Sequence, residues 1–171
     1  MTGSVAASRQ YASGMALAEL PLVIVATPEL PAQEVDRSRW PVHVTVAGNF
    51  WVDEAKVETL PALVLAAAAD VSHFEVRLGS PDRFGAGGGV PVLLVSHPSL
   101  DALHASLAVR LSDVAGFTPL EPEYWGDGYR SHATLGRAVT AREGERLTLR
   151  HLSLFSLMPT IGRRLASVPL V

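Results

Sequence analysis

One short pattern occurs twice in this sequence, and the repeat limits what the chain can fold into. One stretch reads WPVHVTVAG and contains His43 and Thr45; a later one reads HATL and contains His132 and Thr134. Side chains alternate between the two faces of a β-strand, so each His shares a face with its Thr while the apolar neighbours take the other face. The pattern therefore predicts two strands that each turn one His and one Thr away from the core.

The order of elements around the two motifs also repeats loosely. A continuous apolar run at 20–28 predicts a buried strand, and the alternation at 73–80 predicts a half-buried one. A helix is expected from Asp53 onward, split at Pro61. An amphipathic helix is expected over 99–115, with Ser99 as its N-cap, and the Gly-rich stretch 81–91 is expected to be a hairpin loop.

This order predicts an α+β fold with two pseudo-symmetric lobes. Two antiparallel sheets would face each other across a central cleft, with the helices on the outside and one His-x-Thr pair from each sheet in the cleft. Residues 1–19 are small, polar and weakly patterned, so we expect a flexible N-terminal tail followed by a single bilobal domain over 20–171.

Composition excludes several classes of protein. Hydrophobic residues make up 48% of the 171 positions, which is enough to bury a core. The net charge of −3 and the pI of about 6.0 provide no global attraction to long nucleic acid or to an anionic membrane. The sequence has no cysteine, which excludes disulfides, thiolate metal sites and cysteine nucleophiles, and which fits a cytoplasmic location. No apolar run is long enough for a membrane span.

Histidine and threonine together suit acid–base chemistry. Imidazole can act as an acid or a base near neutral pH, so two imidazoles in one cleft can take a proton from one group of a substrate and give one to another. A threonine hydroxyl can donate to a substrate oxygen as charge develops there. The other four histidines are His73, His97, His104 and His151. None is spaced from another His or a carboxylate as metal ligands are, so we expect no metal and no cofactor.

Two His-x-Thr-apolar motifs about half a domain apart resemble the 2H phosphoesterase superfamily, which includes 2′-5′ RNA ligase-like proteins and cyclic nucleotide phosphodiesterases. The resemblance covers about residues 20–170 and includes the segments HFEVRLGSPDRFG, VPVLLV and the C-terminal strands. It implies hydrolysis of 2′,3′-cyclic phosphates or 2′-5′ phosphodiesters of nucleotides or short RNA ends, and possible 2′-5′ ligation, by a monomer. It also implies His43 as the acid, His132 as the base, and contact of Arg137 with the substrate.

Five further residues are candidates for binding the substrate. Arg130 has the strand parity of His132 and so could reach the cleft, whereas Arg137 has the opposite parity and would need a strand end or bulge at Gly136. Both arginines could equally be solvated surface residues. The loop aromatics could stack on a nucleobase or cap the core; they are Tyr124, Trp125 and Tyr129.

Two alternatives to an enzyme stay open. The same cleft could hold a nucleotide or an RNA end without turnover, and binding that survives loss of both histidines would favour such a module. In a purely structural domain the repeat would form only a scaffold, with a filled cleft and no affinity for phosphate ligands.

Overall fold

The computed structural model describes residues 20–137 and 139–171, so the predicted tail lies outside the described residues. The described residues form three α-helices: α1 (Glu54–Val57), α2 (Leu60–Ala68) and α3 (Pro98–Ser112). The strands are β1 (Leu22–Thr27), β2 (Glu34–Asp36), β3 (Val44–Trp51), β4 (Phe74–Phe84), β5 (Val90–Val95), β6 (Thr118–Pro119), β7 (His132–Thr134), β8 (Arg146–Leu149), β9 (His151–Leu157) and β10 (Ile161–Pro169).

Within the part of the chain that the structure describes, the strands pair in antiparallel ladders, in the order β2-β10-β9-β1-β3-β7-β5-β4-β8, with β6 beside the end of β3. The predicted α+β class with antiparallel pairing is confirmed. The two predicted sheets, however, are joined into one hydrogen-bonded path, because β3 of the first half pairs with β7 of the second. The two strands that carry the motifs are therefore direct neighbours.

Strand β1 is buried on both faces, which explains its continuous apolar sequence. Leu22 and Ile24 belong to the main core, which is built with helices α2 and α3. Val23 and Val25 have the opposite parity and belong to a smaller apolar cluster with Trp40 and Phe155. A strand that serves two clusters needs no polar face, so its sequence does not alternate.

The helices follow the sequence signals, with one exception. Helix α1 ends at Val57 and α2 begins at Leu60, so the predicted split at Pro61 is confirmed; proline is tolerated there because it lies in the first turn of α2. The prediction that Ser99 caps α3 was wrong: His97 is the N-cap, and its Nδ1 accepts from the Ser99 amide at 3.1 Å.

None of the described helices is long and apolar enough to cross a membrane.

Strand β4 extends further than its sequence predicts. It continues through Pro81 to Phe84, into the predicted loop. The pairing with β8 covers residues 74–77, and the backbone of Leu78 still bonds to Gly144 and Glu145; from Pro81 onward β4 pairs with β5. One edge is therefore free at Pro81, which has no N–H to donate. The hairpin itself is confirmed at residues 85–89, where three glycines with positive φ make the turn.

Candidate active site

The register of β3 and β7 brings the two motifs onto one face. Val44 is paired with Ala133, and both side chains are fully buried in the core. The residues on either side of each must point to the opposite face. Because the strands are antiparallel, the same register sets His43 opposite Thr134 and Thr45 opposite His132. The four polar side chains thus form a compact square around a local two-fold axis.

All four side chains line one cavity of about 400 Å³. That volume lies within the range of about 300–1,000 Å³ typical of small-molecule sites. Among the described residues, neither threonine hydroxyl has a hydrogen-bond partner in the protein. Both hydroxyls are therefore available to a ligand.

The two histidines are oriented by the same kind of hydrogen bond, from Nδ1 to the carbonyl oxygen two residues earlier. Nδ1 of His43 lies 2.8 Å from the carbonyl oxygen of Pro41, and Nδ1 of His132 lies 2.8 Å from that of Arg130. A carbonyl oxygen can only accept, so each Nδ1 carries the proton and donates it. In the neutral rings Nε2 then has the free lone pair and can exchange a proton with a ligand in the cavity.

His43 lies in an apolar environment. Only 9% of the residue is exposed, and its ring lies 5.1 Å from the ring of Trp40, which in turn packs edge-on against Phe155. Burial lowers the pKa of His43 to about 4, because the charged imidazolium loses its hydration, while the bond to Pro41 partly offsets this and the charge of His132 adds to it.

His132 is half-buried and lies among other aromatic and charged groups. Its ring is 4.4 Å from that of Phe84, which also stacks on Tyr124 and lies 5.0 Å beneath the Arg130 guanidinium. Arg130 is fixed by an ion pair with Asp82 at 2.9 Å. Burial lowers the pKa of His132 as well; its bond to the Arg130 carbonyl opposes the shift, and the positive charge of Arg130 adds to it.

Three of the five predicted substrate-binding residues line the cavity: Tyr124, Tyr129 and Arg130. The other two do not. Arg137 is exposed in the turn after β7, outside the cavity. Trp125 packs against Phe50 and Phe117 at the main core, which was the alternative that its sequence left open.

Sequence reasoning missed several residues of the cavity wall. Arg37 lines it and is held by donation from Nη1 to the Met158 carbonyl at 2.8 Å, a contact between segments far apart in sequence. Phe84 falls in the predicted loop and Trp40 precedes the first motif, and both line the cavity. The aromatic character of Phe84 and Trp40 was visible in the sequence, whereas nothing local distinguishes Arg37.

His104 on α3 also supports the site without lining the cavity. Its Nδ1–H donates to the Val46 carbonyl of β3 at 2.7 Å, and its Nε2 accepts from the Gly126 amide at 3.0 Å. Its ring stacks on Tyr129 at 3.9 Å, and the Tyr129 hydroxyl donates to the Thr45 carbonyl at 2.9 Å. Burial lowers the pKa of His104, which favours the neutral ring that the Gly126 bond requires. The loop that carries Tyr124 and Tyr129 is thus tied to the first motif.

Solved structures share this fold at low sequence identity. A phosphoesterase matches at 16% identity and a TM-score of 0.55, covering 89% of this chain and 98% of that one. The TT0787 protein of Thermus thermophilus matches at 16% identity and a TM-score of 0.55, covering 88% and 98%. E. coli LigT complexed with 3′-AMP matches at 16% identity and a TM-score of 0.50, covering 89% and 98%. Among curated proteins, none matches this chain in sequence.

The family model for the 2′-5′ RNA ligase superfamily matches residues 29–160, a span that includes both His-x-Thr motifs and most of the cavity wall. This match, the shared fold and the paired motifs lead to one assignment: the chain belongs to the 2′-5′ RNA ligase superfamily, within the 2H phosphoesterases that its motifs resemble.

Proposed function

We propose that this protein is a metal-independent phosphoesterase that opens 2′,3′-cyclic phosphates of nucleotides or short RNA ends. The observation that carries the proposal is the square of two histidines and two threonines on one cavity face, with the Nδ1 of each histidine bonded to backbone and its Nε2 without a hydrogen-bond partner among the described residues. An in-line displacement at phosphorus needs two such ring nitrogens, one protonated to act as the acid and one unprotonated to act as the base.

In the proposed step, Nε2 of His132 takes a proton from water while the water oxygen attacks phosphorus. The bond from phosphorus to the 3′-oxygen breaks, and Nε2–H of His43 protonates that oxygen. The product is a 2′-phosphate with a free 3′-hydroxyl, and the two histidines have exchanged protonation states. With a 5′-hydroxyl in place of water, the same step forms a 2′-5′ linkage.

The threonines suit the stabilisation of charge on the phosphate. Their hydroxyls have no protein partner among the described residues, so donation to a non-bridging oxygen costs no existing bond. The β-branch of each side chain restricts χ1 and so limits the directions in which the hydroxyl can point.

The charge state of His43 depends on the ligand in this proposal. In the empty cavity its pKa of about 4 keeps it neutral at pH 7. An anionic phosphate beside the ring favours the protonated form and raises that pKa. Substrate binding therefore causes His43 to take up the proton that it later donates, whereas His43 is neutral in the free protein.

Nucleotide binding as such is supported by the character of the wall. Phe84 and Tyr124 already stack on each other beside His132, and a nucleobase can stack on such a pair. The Arg130 guanidinium lies over the Phe84 ring, next to His132. E. coli LigT, which shares the fold, has been crystallised with 3′-AMP.

The test is turnover of the four nucleoside 2′,3′-cyclic monophosphates in EDTA, with products separated by chromatography. The wild type should form the 2′-phosphate, and His43→Ala and His132→Ala should each lose about 10²–10⁴-fold in kcat. The matched control is His73→Ala, because His73 is exposed and lies outside the cavity. Absence of turnover combined with tight binding that persists in both variants would instead identify a non-catalytic binding module.

A further inference from the structure

A second cavity lies beside the proposed active site. Its volume is about 560 Å³, and it shares two wall residues, Tyr129 and Arg130, with the cavity that contains the histidines. The remaining lining residues come from β4, β5 and the residue after it, the first turn of α3, the turn before β8 and the residue before β7; they include Arg77, Leu78, Leu94, Ser96, Asp101 and Glu143.

The pairing of β5 with β7 shows how close the two cavities are. Leu94 lines the second cavity and is the cross-strand partner of His132, which lines the first. Partners across an antiparallel ladder have Cα atoms about 4.5–5.5 Å apart. The second cavity therefore begins one strand away from the backbone of a proposed catalytic residue. Arg130 and Tyr129 line both cavities.

The chemistry of the second cavity fits a nucleoside better than a bare phosphate. Arg130 is already paired with Asp82, which leaves Arg77 as the other cation in a wall that also contains the carboxylates of Asp101 and Glu143. This balance of charge does not favour a small anion. The wall does offer both donors and acceptors, which is what the edges of a nucleobase and the ribose hydroxyls require.

Apolar and aromatic residues also line the second cavity. Leu94 is half-buried, Leu78 and Val95 are buried residues of the main core, and Tyr129 lines both cavities. One face of the Tyr129 ring is held by stacking on His104, so its position is fixed before a ligand arrives. A cavity that combines a fixed aromatic wall with apolar and polar groups fits a small-molecule site.

We propose that the second cavity binds the nucleoside one linkage upstream of the nucleotide whose phosphate reacts. This inference rests on the proposed function, and it defines the substrate class as an RNA end of at least two nucleotides, because a cyclic mononucleotide leaves the second cavity empty. Arg130, which lies in both walls, is then next to the linkage between the two nucleosides.

The experiment compares kcat/KM for uridine 2′,3′-cyclic phosphate with that for the dinucleotide UpU ending in a 2′,3′-cyclic phosphate. The variant is Ser96→Trp, which fills the second cavity at an exposed serine that makes no side-chain hydrogen bond among the described residues. The matched control is Ser72→Trp, an exposed serine that lines neither cavity. Calorimetry with the two product 2′-phosphates measures binding in parallel.

We expect the wild type and Ser72→Trp to prefer the dinucleotide by about tenfold or more, the size of a single base-stacking contribution. Ser96→Trp should lose this preference and retain its activity on the mononucleotide. Equal kcat/KM for the two substrates in the wild type, or a preference that survives Ser96→Trp, would overturn the inference. If neither substrate is turned over, the proposed function fails; the calorimetric preference for the dinucleotide product and its loss in Ser96→Trp then decide the second cavity alone.

Discussion

His43 and His132 are held by the same backbone bond but lie in different surroundings. Each donates from Nδ1 to the carbonyl two residues earlier, and each lies opposite the threonine of the other motif. His43, however, lies against an apolar cluster and is almost completely buried, whereas His132 is half-buried beside Phe84 and the charged Arg130.

This difference teaches that a symmetric backbone can hold two chemically unequal acids. The β3–β7 ladder fixes where the two rings lie, and the side chains packed around each ring fix how easily it is protonated. Burial lowers the pKa of both rings, and for His43 it lowers the pKa to about 4. The difference in how easily the two rings are protonated therefore arises from packing.

The largest expected effect concerns which histidine is the acid. If His43 protonates the leaving oxygen, a substrate whose leaving group needs no proton should rescue its loss. His43→Ala should lose about 10²–10⁴-fold in kcat/KM on a cyclic phosphate and far less on an aryl phosphodiester with a nitrophenolate leaving group. His132→Ala should lose activity on both substrates.

The ratio of the two losses is the measurement, taken for each variant in EDTA with circular dichroism as the check on folding. Rescue of His132→Ala and not of His43→Ala would reverse the assignment. The comparison between the motifs would then stand, with the deeply buried ring as the base.

The threonines provide the next test, because the ladder makes them equivalent. Thr45→Val and Thr134→Val each remove one hydroxyl and keep the shape of the side chain, so each should lower kcat by about 10²-fold with little change in KM. Thr148→Val is the matched control, since Thr148 is a half-buried strand threonine outside the cavity. A loss confined to one of the two would show that only one hydroxyl meets the charged oxygen.

The sequence predicted the ingredients of the site but not their arrangement. Strand parity alone groups His43 with Thr45 and His132 with Thr134. It cannot say that β3 and β7 are neighbours, or that Val44 pairs with Ala133, because register depends on contacts between distant segments. For the same reason the sequence suggested two separate sheets where one continuous path exists.

Other differences from the sequence-based expectations have local physical causes. Pro81 ended the predicted strand, but β4 has a free edge there and continues to Phe84, which brings that ring beside His132. The sequence left open whether Trp125 faces the cavity or the core. Its packing with Phe50 depends on tertiary contacts, which the local sequence around Trp125 does not reveal. The split at Pro61 was predicted correctly, since the effect of proline on a helix is local.

The smallest expected effect is on stability, and it measures the inequality of the two rings directly. In the unfolded chain a histidine has a pKa near 6.5, whereas folded His43 has a pKa of about 4. At pH above 6.5 both states are neutral at this residue; as the pH falls toward 4, the unfolded state binds the proton first and the folded state loses stability. Between pH 7.5 and pH 5.0 this single residue should lower the free energy of unfolding by about 2 kcal/mol.

Urea denaturation of wild type and His43→Gln measures this effect. The free energy of unfolding of His43→Gln should depend on pH less than that of the wild type, by about the same amount. His132→Gln should show a smaller difference in the same direction, since the pKa of His132 is lowered too. A His43→Gln protein with the pH dependence of the wild type would mean that the ring is hydrated in solution, and the asymmetry between the two motifs would then have to come from the charges around His132 alone.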